Sequence, residues 1–129
     1  MIETDSIFKI NKDLFQIQND GFLLTWDIPK DLPYFDGHFP GNPVLPAVAI
    51  IDLVQRVFST LFPEENTKIK SIKTAKFTEL IRPSDQLLLE FQIIPHRRSW
   101  SCKLFNQSQK LVSKVQIQFE SELTSPINL

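Results

Sequence analysis

One segment fixes most of what this chain can fold into. Ala47 to Leu61 reads Ala-Val-Ala-Ile-Ile-Asp-Leu-Val-Gln-Arg-Val-Phe-Ser-Thr-Leu, apolar and long enough for about four helical turns. Pro46 suits the first position of that helix, where its missing N–H costs nothing, and Phe62-Pro63 ends it. The rest of the chain reads as strands. Leu14 to Gln18 and Phe22 to Ile28 flank an Asn19-Asp20-Gly21 turn. After Pro63 come Lys68–Thr78, Gln86–Ile94, Ser99–Asn106 and Lys110–Glu120, the last alternating cleanly as Val115, Ile117, Phe119 against Gln116, Gln118, Glu120. Arg82-Pro83-Ser84-Asp85 and Gln107-Ser108-Gln109 read as turns, and residues 121–129 as a loose tail. Short turns make neighbouring strands antiparallel. A sheet that curls around one helix buries the helix's apolar stripe, an α+β architecture, and 11 phenylalanines supply the bulk to fill the space between.

A chain of 129 residues makes one domain, spanning 1–129. Its formal net charge of −1 gives no global basic field, which argues against nucleic acid as a partner. The single cysteine, Cys102, has no second thiol for a disulfide or a zinc knuckle and reads as a small buried apolar residue. No run approaches the ~18 apolar residues of a membrane span. Glu3 and Asp5 precede any apolar stretch, unlike a secretory signal, so the expected compartment is the cytoplasm.

Between the first hairpin and the helix lies Gly37-His38-Phe39-Pro40-Gly41-Asn42-Pro43-Val44-Leu45-Pro46. It contains one of two histidines and two of three glycines, and prolines at every third position from 40 stiffen it. Such a segment suits a catalytic loop holding one imidazole; it equally suits a tight turn with a hydrogen-bonded core histidine. Asp52 is the one acidic residue between Asp36 and Glu64 and sits mid-helix, where Asp has poor propensity. Gln55, Arg56 and Ser59 share its side of the helical wheel, so it reads either as part of a solvent face paired with Arg56 or as an acid placed near the histidine loop. It lies roughly 9 Å beyond Pro46 along the axis.

The string from His38 to Ala47, with an acid fourteen residues after the histidine, resembles the 3-hydroxyacyl-acyl carrier protein dehydratases, of the fatty-acid-synthesis or aryl-polyene type. Their pattern is His-Phe-Pro-Gly-x-Pro-hydrophobic-x-Pro-Gly followed by Glu or Asp in the helix. A second match is Lys76-Phe77 followed by Arg82-Pro83-Ser84-Asp85-Gln86-Leu87. The resemblance spans roughly residues 10–120. It implies the hotdog fold, an antiparallel sheet wrapped around a central helix. It also implies a homodimer or trimer of dimers with active sites between subunits, and a substrate carried on the phosphopantetheine of an acyl carrier protein. No cofactor and no metal are implied.

By the same resemblance His38 matches the catalytic base, and Asp52, from the partner chain, matches the acid. The Val44 carbonyl matches the group orienting the imidazole, and Ala47 and Gly41 match backbone positions around the thioester. Three residues depart from the pattern: Ala47 and Ser84 stand where the family has Gly, and Arg56 where it has Gln. A cation at 56 favours the ionised form of Asp52. An acidic carrier calls for a basic dock, with Arg97, Arg98, Lys73, Lys76 and Arg82 as candidates; Arg97-Arg98 also reads as a solvated turn. The alternative readings are a thioesterase of the same fold, with Asp52 activating water, and a catalytically silent acyl-binding scaffold.

Overall fold

The computed structural model describes residues 4–5, 7–35, 44–95 and 99–123. Two short strands, β1 (Thr4–Asp5) and β2 (Ile10–Asn11), pair with each other. A six-stranded antiparallel sheet follows, built from β3 (Phe15–Gln18), β4 (Gly21–Asp27), β5 (Ile69–Phe77), β6 (Gln86–Ile94), β7 (Ser99–Phe105) and β8 (Leu111–Phe119). Its spatial order is β3-β4-β6-β7-β8-β5. The helix α1 (Ala47–Leu61) connects β4 to β5, which lies at the far edge of the sheet. That crossing spans four strand spacings, about 19 Å. A 15-residue helix is about 22 Å long, enough to make it.

The helix has the bounds its sequence predicts. Pro46 sits one position earlier than expected: with ψ of 159° it is the N-cap residue, outside the helical turn, and Ala47 is the first helical residue. Phe62 caps the other end, its N–H donating to the Phe58 carbonyl. Ala49, Ile50, Leu53, Val54, Val57, Phe58 and Leu61 form the buried stripe of α1. Against them the sheet presents Phe22, Leu24, Trp26, Leu87, Leu89, Phe91, Trp100, Cys102, Leu104, Val115, Ile117 and Phe119. Burial pushes the Cys102 thiol far up, holding it protonated as an apolar core residue. This is the hotdog arrangement: one helix held in the concave face of an antiparallel sheet.

Gly21 opens β4 where a Cβ would lie 1.8 Å from the Phe91 carbonyl oxygen, so the close approach of β4 to β6 at that point requires glycine. The C-terminal segment departs from expectation. Leu123 is buried, and its carbonyl accepts the Trp100 indole N–H at 2.9 Å, so the chain at Leu123 is held on the core rather than loose. Residues 124–129, the remainder of the expected tail, lie outside the described residues. Among the described residues no helix is long and apolar enough to cross a membrane.

Candidate active site

The two segments that carry the resemblance meet in space. The Leu45 N–H donates to the Ile81 carbonyl at 2.7 Å, fastening the approach to α1 onto the stretch that precedes Arg82. The Arg82–Asp85 turn is closed by Asp85 N–H to the Arg82 carbonyl at 3.2 Å and by Arg82 N–H to Asp85 Oδ2 at 2.9 Å. The same turn is bound to the end of β4: Ile28 N–H donates to the Asp85 carbonyl at 2.9 Å and Ser84 N–H to the Ile28 carbonyl at 3.2 Å. Val44 and Leu45, both buried, are thereby set at the foot of the helix, with Ala47 exposed at its first turn.

Ser84 accounts for the glycine in the family pattern. Its φ is 69°, in the left-handed region where glycine is at ease and a Cβ is strained. Ser84→Gly is therefore expected to raise stability by about 0.5–1 kcal/mol, read as a higher midpoint in urea; an unchanged or lower midpoint would refute the strain.

Asp52 does not belong to a uniform solvent face. Its carboxylate is half-buried, and Oδ2 accepts a hydrogen bond from the Tyr34 hydroxyl. Gln55 and Ser59, its neighbours on the wheel, are engaged elsewhere. Gln55 Nε2 donates to the Thr67 carbonyl at 2.6 Å, and the Ser59 and Thr67 hydroxyls lie 3.1 Å apart. These contacts hold the segment entering β5 against the helix. Arg56 is exposed one turn beyond Asp52.

Tyr34 carried no signal in the sequence. It lies in a 3₁₀ turn, Pro33–Phe35, eighteen residues from Asp52, and no periodicity joins them. His38, Gly41, Arg97 and Arg98 lie outside the described residues. Lys76 and Arg82 are both exposed. The strand register adds two cations that the linear sequence does not connect to them: Lys76 lies opposite Lys114, and Lys114 opposite Lys103. Their strand neighbours Val115, Cys102 and Leu104 point into the core, so the three lysines form a row on the outer face. Like charges directly opposite one another are unfavourable in a sheet, and the row ends on an anion, Glu90 of β6, which lies opposite Lys103.

A family model described as ApeI-like, ApeI dehydratase, matches residues 15–116. The chain belongs to the ApeI-like dehydratase family. Among curated relatives it is 34% identical over 84 residues to the 3-hydroxyacyl-acyl-carrier-protein dehydratase FabZ of Lactiplantibacillus plantarum, covering 60% of this chain. The chain spans 57% of that relative's length. It is 30% identical over 120 residues to the FabZ of Ehrlichia canis, covering 84% of this chain and 80% of the relative. Among solved structures, the dehydratase heterocomplex ApeI:P from Xenorhabdus doucetiae superposes with a TM-score of 0.70 at 26% identity, over 81% of this chain and 90% of that one. The ApeI-like match takes in the His38 loop, α1 with Asp52, and the Arg82–Asp85 turn together.

Proposed function

We propose that this chain, as a dimer, dehydrates 3-hydroxyacyl thioesters on an acyl carrier protein to trans-2-enoyl thioesters. The observation that carries this reading is the family match over residues 15–116, which includes His38 and Asp52 at the spacing of the family's base and acid.

In the proposed reaction neutral His38, whose ordinary pKa is about 6.5, takes a proton from C2. The electron pair of that C–H bond becomes the C2=C3 bond as the C3–O bond breaks. Asp52 acts in its protonated form and gives that proton to the departing hydroxyl, which leaves as water. The thioester oxygen carries the developing charge, and the Ala47 N–H at the start of α1 faces it with the positive end of the helix dipole. A donor of this kind is worth about 3–4 kcal/mol in the transition state. Val44 orients the imidazole through its carbonyl, and Gly41 allows the thioester to pass close to the backbone.

A second copy completes the site. β5 is an edge strand of nine residues, and its Ile72 and Phe77 stand 45% and 41% exposed, although the residues opposite them, Ile117 and Ser113, are buried. Val48 and Leu80 add apolar surface at 60% and 61% exposure. Apolar side chains left exposed on one face of an unpaired edge strand call for a partner. A second copy of the chain meets it and brings His38 of one copy to Asp52 of the other. The Lys76–Lys114–Lys103 row offers an acidic carrier its dock, and Arg82, Arg97 and Arg98 are further candidates from the sequence.

The test follows enoyl-thioester absorbance with 3-hydroxyacyl and 2-enoyl thioesters of the carrier protein. Reversible gain and loss of that absorbance is expected. Release of free thiol instead would assign thioester hydrolysis, and binding without turnover would assign a scaffold; either contradicts the proposal.

A further inference from the structure

We infer that Tyr34 is the positioning residue of the acid: its hydroxyl fixes the rotamer of Asp52 and decides which carboxyl oxygen faces the substrate. The inference rests on the reaction assigned to Asp52 above and concerns a residue that reaction does not otherwise use.

The phenol is itself held firmly. Tyr34 stacks on Phe8, ring centroids 5.9 Å apart and planes 23° from parallel. Phe8 is 1% exposed and packs on Trp26 at 5.9 Å, while the Trp26 indole N–H donates to the Phe8 carbonyl at 2.7 Å. Leu32 and Phe35, on either side of Tyr34, are buried in the main core. A continuous set of contacts thus runs from the sheet through Trp26, Phe8 and Tyr34 to the carboxylate on α1. Swinging the half-buried phenol away breaks its stack on the buried Phe8 ring, so the hydroxyl is a fixed donor.

A fixed donor on one carboxyl oxygen constrains the other. An aspartic acid has one carbonyl oxygen that accepts and one hydroxyl oxygen that donates. With Oδ2 accepting from Tyr34, the neutral acid carries its proton on Oδ1, the oxygen left to meet the C3 hydroxyl. Without the phenol, the carboxyl samples both orientations and rotates about its own torsions, and only part of its population is ready to donate. Tyr34 also lies four residues before His38, so one stretch of chain holds its own copy's acid and carries the base that serves the other copy.

The sequence contains a single tyrosine, which makes the contact directly measurable. Ionising a phenol against a carboxylate is unfavourable, so the phenolate absorbance of the whole protein is expected to appear above the ordinary pKa of about 10. Asp52→Asn removes the charge and is expected to bring the titration down by about a pH unit or more. A wild-type titration at the ordinary value that Asp52→Asn leaves in place overturns the inference. Tyr34→Phe retains the ring and its stack while losing the hydroxyl. It is expected to lower kcat about tenfold with KM within about twofold, because the loss lies in the transition state. Tyr34→Phe at full kcat also overturns it. The titration needs no substrate: a phenol that responds to Asp52→Asn in a protein that dehydrates no thioester would sink the assigned reaction and leave the Tyr34–Asp52 contact standing.

Discussion

His38→Ala is expected to lower kcat/KM for a 3-hydroxyacyl thioester by about a hundredfold to ten-thousandfold, the usual range for a positioned general base. The C2 proton of a thioester is weakly acidic, and no other histidine lies in the His38–Ala47 segment to replace the imidazole. Asp52→Asn keeps the shape and the capacity to accept from Tyr34 but has no carboxyl proton to give, and a loss of similar size is expected. The two losses should not multiply in the double variant, because groups acting in one step fail together. Far-ultraviolet dichroism and urea midpoints of the variants should stay close to wild type. Full turnover by either variant would remove that residue's role.

The largest effect on stability is expected at Phe58, which is fully buried on the inner side of α1. Its ring meets Phe119 at 4.5 Å, Trp100 at 5.2 Å, Phe91 at 5.4 Å and Phe22 at 5.5 Å, so one side chain joins the helix to β4, β6, β7 and β8. All four pairs are tilted or edge-on, the arrangements that add to area burial. Phe58→Ala leaves a cavity among four aromatic neighbours whose backbones are fixed by the sheet and cannot close on it. A loss of about 3–5 kcal/mol is expected from urea unfolding. Phe58→Leu fills most of the space and should recover over half of that. A cost below about 1 kcal/mol for Phe58→Ala would contradict the packing described.

How much of this was legible in the sequence depended on whether the information was local. The helix was readable because an apolar period runs from Ala47 to Leu61 between Pro46 and Pro63. The strands from β6 to β8 were readable from alternation and from turn residues. The residues of β5 do not alternate strictly, and the reason is structural: register shifts between Ile69 and Ser71 and between Ile72 and Thr74 displace its side chains from period two. The two-residue strands β1 and β2 are too short to leave a pattern. The docking of Leu123 depends on a distant indole, and the lysine row on strand register, and neither is local. The same holds within the site. The spacing of His38 and Asp52 was visible because it lies within one continuous stretch, while Tyr34 reaches Asp52 only through the fold.

The central claim is that base and acid come from different copies of the chain, and subunit mixing tests it most directly. His38→Ala and Asp52→Asn proteins, each inactive alone, are mixed under conditions that let dimers exchange. In a mixed dimer of two-fold symmetry one site receives both substitutions and the other receives neither. With half of the dimers mixed and one of two sites intact in each, about a quarter of wild-type activity should return. A mixture that exchanges subunits yet stays as inactive as its components would contradict a site shared between copies.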